Sequence, residues 1–183
     1  MNSSSSTATA ASAAGGTQEP TIARPPRHAP ALTIPRVDSV GEFGLMITRQ
    51  LTQCRRYGGK LAVMWLEAEP VEEAADPEGV YDAQASLMTA VGRRLRSRVR
   101  GTDAVLQVGE GSFAVLLNDA GAPEAELVRQ RLHQALGGSY GVGEGMIMHV
   151  RLQIGAAAFP DGGTKGADLA QSARDDLRVR AEG

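Results

Sequence analysis

Apolar residues recur every three or four positions in several parts of the chain, and this spacing predicts helices. The first helix begins at Ser39, which forms a capping-box pattern with Glu42, and it ends near Tyr57, before Gly58. A second long helix runs to Arg100, a third starts at Pro123, and a last one spans residues 167–180. The apolar positions of the first three helices are Phe43, Met46, Ile47 and Leu51, then Leu87, Val91, Leu95 and Val99, then Leu127, Val128, Leu132 and Leu136.

Short apolar runs between these helices predict strands. Residues 61–66 form a continuous run that is typical of a buried strand, and residues 149–159 alternate between apolar and polar positions. Two more strands, 104–108 and 113–117, flank a tight turn and predict a hairpin. Residues 70–79 and 137–145 are predicted to be loops. The resulting order favours an α+β or α/β fold, in which helices cover a mostly antiparallel sheet of about five strands.

Residues 1–37 have a different composition from the rest of the chain. They are rich in Ser, Ala and Thr, and five of the nine prolines lie between Pro20 and Pro35. Such a segment buries too little apolar surface to offset its loss of conformational entropy. We therefore expect a disordered tail over residues 1–37 and one folded domain over residues 38–183.

The composition excludes several classes of protein. No apolar run is long enough to cross a bilayer, and the N-terminus lacks the features of a secretory signal, so we expect a cytoplasmic protein without membrane insertion. The formal net charge of −2 argues against general nucleic-acid binding. Cys54 is the only cysteine, which rules out an internal disulfide bond.

The hairpin and its flanks carry a recognisable motif. Arg100-Gly-Thr-Asp103 is followed by five residues and then by Gly109-Glu-Gly-Ser-Phe113 and an apolar strand. This arrangement resembles the GGDEF family, whose members carry Arg-x-x-Asp, five residues and a Gly-Gly-Asp/Glu-Glu-Phe turn. The first strand, the segment Gln153–Pro160 and the last helix extend the resemblance over the whole folded part. The resemblance implies the family's nucleotidyl cyclase-like fold.

The resemblance also implies a catalytic site that this chain does not complete. Family enzymes join two GTP molecules into cyclic di-GMP, and carboxylates hold divalent metal on the triphosphate. In the turn Gly109, Glu110, Gly111, Ser112 and Phe113, the two acidic positions are held by Gly111 and Ser112. Glu67 and Glu69 stand at the aspartate positions of the first strand, and Glu67 alone is a weak candidate metal ligand. The positions of the family's guanine-reading residues and late lysine are occupied by Ala75, Gln84-Ala85 and Ala181. We therefore predict no cyclase activity, no metal site and no cofactor.

The family's inhibitory site, by contrast, is matched at every position. That site binds a stacked dimer of cyclic di-GMP, and the resemblance assigns it here to Arg100, Asp103 and Arg131. Guanidinium groups suit such a ligand because they hydrogen-bond in pairs and stack on bases. Taken by itself, Arg-x-x-Asp is also a common end-of-helix ion pair. The neighbouring arginines are either a solvated face or a field that attracts an anionic nucleotide, and they are Arg93, Arg94, Arg96 and Arg98.

Three functions remain open from the sequence. The first is a cyclic di-GMP receptor that acts on an unidentified protein partner, as degenerate GGDEF domains do in exopolysaccharide secretion and biofilm regulation. The second is a ligand-free interaction scaffold that retains only the fold. The third is a GTP-binding regulatory domain or an enzyme that works through Glu67. A homodimer is compatible with each of them.

Overall fold

A computed structural model describes residues 33–71, 80–143 and 145–182. Ten elements follow one another along this part of the chain. They are β1 (Arg36–Val37), α1 (Val40–Tyr57), β2 (Leu61–Val71), α2 (Val80–Arg96), β3 (Ala104–Val108), β4 (Ser112–Asn118), α3 (Ala122–Leu136), β5 (Gly138–Gly141), β6 (Ile147–Ala158) and α4 (Gly166–Ala181). The six strands form one sheet in the order β1-β3-β4-β2-β6-β5. Only the β1–β3 pair is parallel, so the predicted mostly antiparallel sheet flanked by helices is confirmed.

The sheet has a helix pair on each face, because side chains of successive strand residues point in opposite directions. Ala62, Met64 and Leu66 of β2 pack with α2 and α3, whereas Leu61, Val63 and Trp65 pack with α1 and α4. Both faces of the central strand are therefore buried, which explains why its sequence is a continuous apolar run. Trp65 is a core residue, and its ring meets the edge of the Phe43 ring at a centroid distance of 6.1 Å.

Helix α1 follows its sequence signals closely. The Ser39 hydroxyl accepts a hydrogen bond from the Glu42 amide at 3.1 Å, and the Glu42 carboxylate accepts one from the Asp38 amide. At the other end, Gly58 adopts the left-handed conformation, with φ of 71°, and closes the helix. The predicted bounds of this helix are confirmed.

Four sequence predictions of local structure were wrong. Strand β2 continues to Val71, so Pro70 belongs to a strand rather than to a loop. The segment 137–145 contains strand β5, which pairs with β6, and the latter begins at Ile147. Helix α2 ends at Arg96, four residues before Arg100, and a turn covers the interval.

The fourth error concerns the start of the folded domain. Arg36 and Val37 form β1, Val37 is only 4% exposed, and Ile34 packs against the core on the α2 side of the sheet. The domain therefore begins before the predicted boundary at residue 38. The remainder of the predicted tail, residues 1–32, lies outside the described residues. Within the described ranges, none of the helices is long and apolar enough to cross a membrane.

Candidate functional site

The Arg-x-x-Asp turn lies between the end of α2 and the start of β3, and Asp103 organises it from within. This residue is 6% exposed. One carboxylate oxygen accepts a hydrogen bond from the Arg100 backbone amide at 2.9 Å, and the other accepts one from the Asn118 backbone amide at 3.2 Å. Because Asn118 is the last residue of β4, the Asp103 carboxylate ties the turn to the base of the hairpin. The carboxylate points inward and is already used by the fold.

Arg96 clamps the same turn from the last residue of α2. Its guanidinium donates to the Asp103 carbonyl oxygen at 2.6 Å and also to the Arg100 carbonyl oxygen. These two bonds fix both ends of the motif. The prediction of a solvated basic face is therefore wrong for Arg96. A sequence signal was available, because basic side chains near a helix C-terminus often bond the carbonyl groups that follow it.

Arg94, on the same basic helix, also has a structural partner. Its guanidinium lies 3.8 Å from the centre of the Tyr140 ring and donates to the Ser139 carbonyl oxygen at 3.2 Å. The Tyr140 hydroxyl donates to the Leu136 carbonyl oxygen, and burial raises the pKa of this tyrosine. Arg94 therefore joins α2 to the short edge strand β5, which leaves Arg93 and Arg98 as the solvent-exposed members of the run.

The two predicted ligand-binding arginines lie on the outer surface of this turn. Arg131, an exposed residue of α3, donates to the Arg98 carbonyl oxygen at 3.1 Å. Arg100 is also exposed, and its guanidinium has no hydrogen bond or ion pair with any residue that the structure describes. The structure thus brings Arg131 to the turn that carries Arg100, whereas Asp103 holds that turn from the inside.

The hairpin turn that corresponds to the family's acidic motif lies at the opposite end of β3. Gly109 has a φ of 90°, which favours glycine, and Phe113 is buried in the core. The Gly111 carbonyl oxygen accepts the Ala68 amide at 2.9 Å and so fixes the turn against β2. Gly111 and Ser112 supply one hydroxyl group and no carboxylate at this point of the sheet.

Glu67, the weak candidate metal ligand, pairs in register with Ser112 on β4 and with Gln153 on β6. Paired residues point to the same face of a sheet, so the cross-strand neighbours of Glu67 are one hydroxyl and one amide, and Glu69 lies two residues further along the same face of β2. Mg²⁺ is usually held by one or two carboxylates together with phosphates. Across the described ranges, no group of three or more His, Cys, Asp or Glu side chains could hold a metal ion. Glu67 and Glu69 are the two carboxylates on this face of β2.

A cleft of about 490 Å³ opens beside the hairpin turn, on the α2 side of the sheet. Alternation along β2 places Ala68 and Pro70 in its wall, and Glu67 and Glu69 therefore belong to the other face. The remaining lining residues come from β1, α2, β3 and the turn, and they are Arg36, Gln84, Ala85, Met88, Thr89, Gln107, Glu110 and Gly111. Ala75, one predicted counterpart of a guanine-reading residue, lies outside the described residues.

Comparison with known proteins assigns this architecture to a family. Residues 41–182 match the family described as "Diguanylate cyclase, GGDEF domain". The chain is 28% identical over 131 residues to the cyclic di-GMP phosphodiesterase NbdA of Pseudomonas aeruginosa, an alignment that covers 72% of this chain and 16% of NbdA. It is 24% identical over 116 residues to the diguanylate cyclase TpbB of the same organism, with coverages of 63% and 26%. The chain thus spans about a quarter or less of these relatives.

Solved structures show the same fold. The crystal structure of the TpbB GGDEF domain matches with a TM-score of 0.72 at 21% identity, covering 82% of this chain and 91% of that one. The diguanylate cyclase SiaD of Pseudomonas aeruginosa, crystallised with its activator SiaC, matches with a TM-score of 0.64 at 13% identity, covering 84% and 57%. At these identities, the likeness concerns the fold alone.

Proposed function

This chain belongs to the GGDEF family of diguanylate cyclase domains, and from that premise we propose that it binds cyclic di-GMP without synthesising it. The observation that carries the proposal is the exposed guanidinium of Arg100, which is unpaired among the residues that the structure describes and lies on a turn that Arg131 also reaches. The ligand carries two phosphates, each of which accepts paired hydrogen bonds from a guanidinium group.

Preorganisation of the turn supports binding. Arg96 and Asp103 together hold the backbone on both sides of Arg100, so little ordering remains to be done when a ligand arrives. We assign Asp103 a positioning role rather than direct recognition of guanine. The exposed Arg98 adds a third positive charge to the same surface.

The hairpin turn supports the absence of synthesis. Phosphoryl transfer of this kind depends on metal ions that neutralise developing charge, and the cross-strand partners of Glu67, Ser112 and Gln153, add no carboxylate to hold them. Restoring a carboxylate at Gly111 is also sterically tight, because an added Cβ would lie 3.1 Å from the Ala68 carbonyl oxygen.

Calorimetric titration with cyclic di-GMP tests the proposal. We expect saturable binding that weakens as salt rises, because the ligand is a dianion. Arg100→Ala should weaken binding roughly thirtyfold or more, since loss of one partner of a desolvated charged contact costs about 2–5 kcal/mol. Arg49→Ala, an exposed arginine on the opposite side of the sheet, is the matched control and should bind like the wild type. An assay with GTP and Mg²⁺ or Mn²⁺ should give no cyclic di-GMP above a protein-free control.

A ligand-free scaffold is the second candidate, and one observation favours it. Both oxygens of Asp103 are satisfied by backbone amides, which is what a purely structural Arg-x-x-Asp motif would show. Absence of saturable heat at ligand concentrations of about 50 μM, where a micromolar site would be filled, would support the scaffold. In either case we propose that the output passes to a protein partner or a second copy of the domain, in exopolysaccharide or biofilm regulation.

A further inference from the structure

The short strand β1 determines where the N-terminal segment of the chain leaves the domain. β1 pairs in parallel with β3, and Arg36 lies opposite Gln107. Parallel strands run in the same direction, so the chain that precedes β1 leads towards Ala104, where β3 begins directly after Asp103. The N-terminal segment therefore leaves the sheet at the edge that carries the Arg-x-x-Asp turn.

Two contacts hold the start of this strand in place. The Gln107 backbone amide donates a hydrogen bond to the Pro35 carbonyl oxygen at 2.9 Å. Ile34 packs against α2 at Gly92, where an added Cβ would lie 2.7 Å from the Ile34 Cδ1 atom. Gly92 lies about one helical turn before Arg96, whose guanidinium bonds carbonyl oxygens at both ends of the motif. The described part of the chain thus begins beside the last turns of α2, close to the Arg-x-x-Asp turn.

The residues that come immediately before this point are basic. Residues 20–32 contain Arg24 and Arg27 and no acidic residue. Thr33 is the first residue that the structure describes. Counted back from Thr33, a chain that reaches Arg27 spans at most about 20 Å, and one that reaches Arg24 spans at most about 30 Å. Both arginines are therefore within reach of the turn.

We propose that Arg24 and Arg27 bind the phosphates of cyclic di-GMP on the Arg-x-x-Asp turn, so that the ligand is held by Arg100 on one side and by the N-terminal segment on the other. This inference rests on the proposed function, because it adds two contacts to the same ligand. It assigns a binding role to a segment that the motif does not include.

The number of phosphates favours additional cations. Each cyclic di-GMP carries two phosphates, so the stacked pair that the family resemblance implies carries four. One guanidinium group matches one phosphate through two parallel hydrogen bonds. The described surface of the turn presents the exposed arginines Arg98, Arg100 and Arg131, and Arg131 also donates to the Arg98 carbonyl oxygen. With Arg24 and Arg27 added, the site has a guanidinium group for every phosphate.

Charge makes this contact dependent on the ligand. Without a ligand, Arg24 and Arg27 would approach the arginines of the turn, and like charges repel one another. An anionic ligand between the two groups attracts both of them. We therefore expect the N-terminal segment to contact the turn only when cyclic di-GMP is bound, which provides a second readout besides affinity.

Calorimetric titration of the full chain with cyclic di-GMP tests the contribution to affinity. The double variant Arg24→Ala/Arg27→Ala should weaken binding at least tenfold, as expected for loss of charge-assisted hydrogen bonds. Arg24→Lys/Arg27→Lys should recover part of the loss, because lysine keeps the charge but not the two-pronged geometry. Arg49→Ala, on the other side of the sheet, should bind like the wild type. The inference is overturned if the double alanine variant binds as tightly as the wild type.

Limited digestion of the full chain with trypsin tests whether the ligand brings the segment to the turn. Trypsin cleaves after Arg27, which precedes His28, but not between Arg24 and Pro25. Saturating cyclic di-GMP should slow cleavage after Arg27 about fivefold or more, as followed by mass spectrometry, because a bound segment is cleaved only after it is released. Arg100→Ala at the same ligand concentration should show much less protection.

The two measurements together separate this inference from the proposed function. If the wild type binds cyclic di-GMP but cleavage after Arg27 is not slowed, the N-terminal contact is wrong and the site on the turn stands. If the wild type does not bind cyclic di-GMP at all, both the site and the contact are wrong.

Discussion

A buried carboxylate needs hydrogen-bond donors, and Asp103 obtains them from the backbone amides of Arg100 and Asn118. Arg100, three residues earlier, has the opposite character, because its guanidinium is exposed and unpaired within the described structure. The two residues of this short motif therefore have different roles. Asp103 sets the conformation of the turn, and Arg100 is available to a ligand.

This division predicts that stability and ligand binding respond to different substitutions. Asp103→Ala leaves two backbone amides without their acceptors, and we expect it to lower the free energy of unfolding by about 2–4 kcal/mol. Thermal unfolding, followed by circular dichroism, should show a melting temperature lower by roughly 6–12 °C. Arg100→Ala should stay within about 0.5 kcal/mol of the wild type, as exposed substitutions usually do. A stable Asp103→Ala protein that fails to bind cyclic di-GMP would instead show that the carboxylate contacts the ligand.

Helix α4 is fitted to the sheet through a glycine on β6. An added Cβ at Gly155 would lie 2.1 Å from the Ala173 carbonyl oxygen and 2.3 Å from the Leu177 amide nitrogen, so the helix crosses the strand at the closest distance that glycine permits. On the same helix, the Asp176 carboxylate accepts a hydrogen bond from the Ala156 backbone amide at 2.9 Å. Ala156 lies on the part of β6 that does not pair with β5, so this bond satisfies a backbone donor at the edge of the sheet. The motif Gln153-Ile-Gly155 thus has a packing explanation.

We expect Gly155→Ala to be strongly destabilising. The methyl group would meet backbone atoms, which cannot move aside as a side chain can, so α4 as a whole must shift. Overpacking of this kind costs about 1–3 kcal/mol or more, which urea unfolding measures as a lower midpoint. Gly101→Ala is the matched control, because no atom lies within 4 Å of an added Cβ there, and its midpoint should stay close to that of the wild type. Equal midpoints for the two variants would contradict the close helix crossing.

Elements with strong local signals were predictable, and elements that depend on distant partners were not. The capping residues Ser39 and Glu42 and the glycine at position 58 predicted where α1 begins and ends. The turn residues between β3 and β4 predicted the hairpin. Strand β5 has only four residues, with a glycine at each end, and it exists because it pairs with β6. The end of α2 was misplaced because Val99 packs against the same core as Leu95 after the chain has left the helix.

For the molecule as a whole, the order of strands limits what the sequence can reveal. Motif spacing placed Arg100 and Asp103 on one turn, and the resemblance added Arg131, which contacts that turn. Strand β1 and its residue Arg36 could not be found in this way, because the residues of β1 lie 71 positions away in sequence from their partners on β3, as the pairs 36–107 and 37–108 show. A two-residue strand in a proline-rich segment carries no periodicity.

The contribution of β1 to the whole domain can be measured with two fragments, residues 33–183 and residues 39–183. The shorter fragment loses the burial of Val37, the packing of Ile34 and the hydrogen bond between Gln107 and Pro35. Burial of one such aliphatic side chain contributes about 1.5–3 kcal/mol, so we expect the shorter fragment to be less stable by about 2–4 kcal/mol in urea unfolding. Cyclic di-GMP binding at Arg100 should persist at temperatures where the shorter fragment is folded, because the Arg-x-x-Asp turn lies outside the deleted segment. Equal unfolding midpoints would show that β1 adds nothing to the stability of the domain.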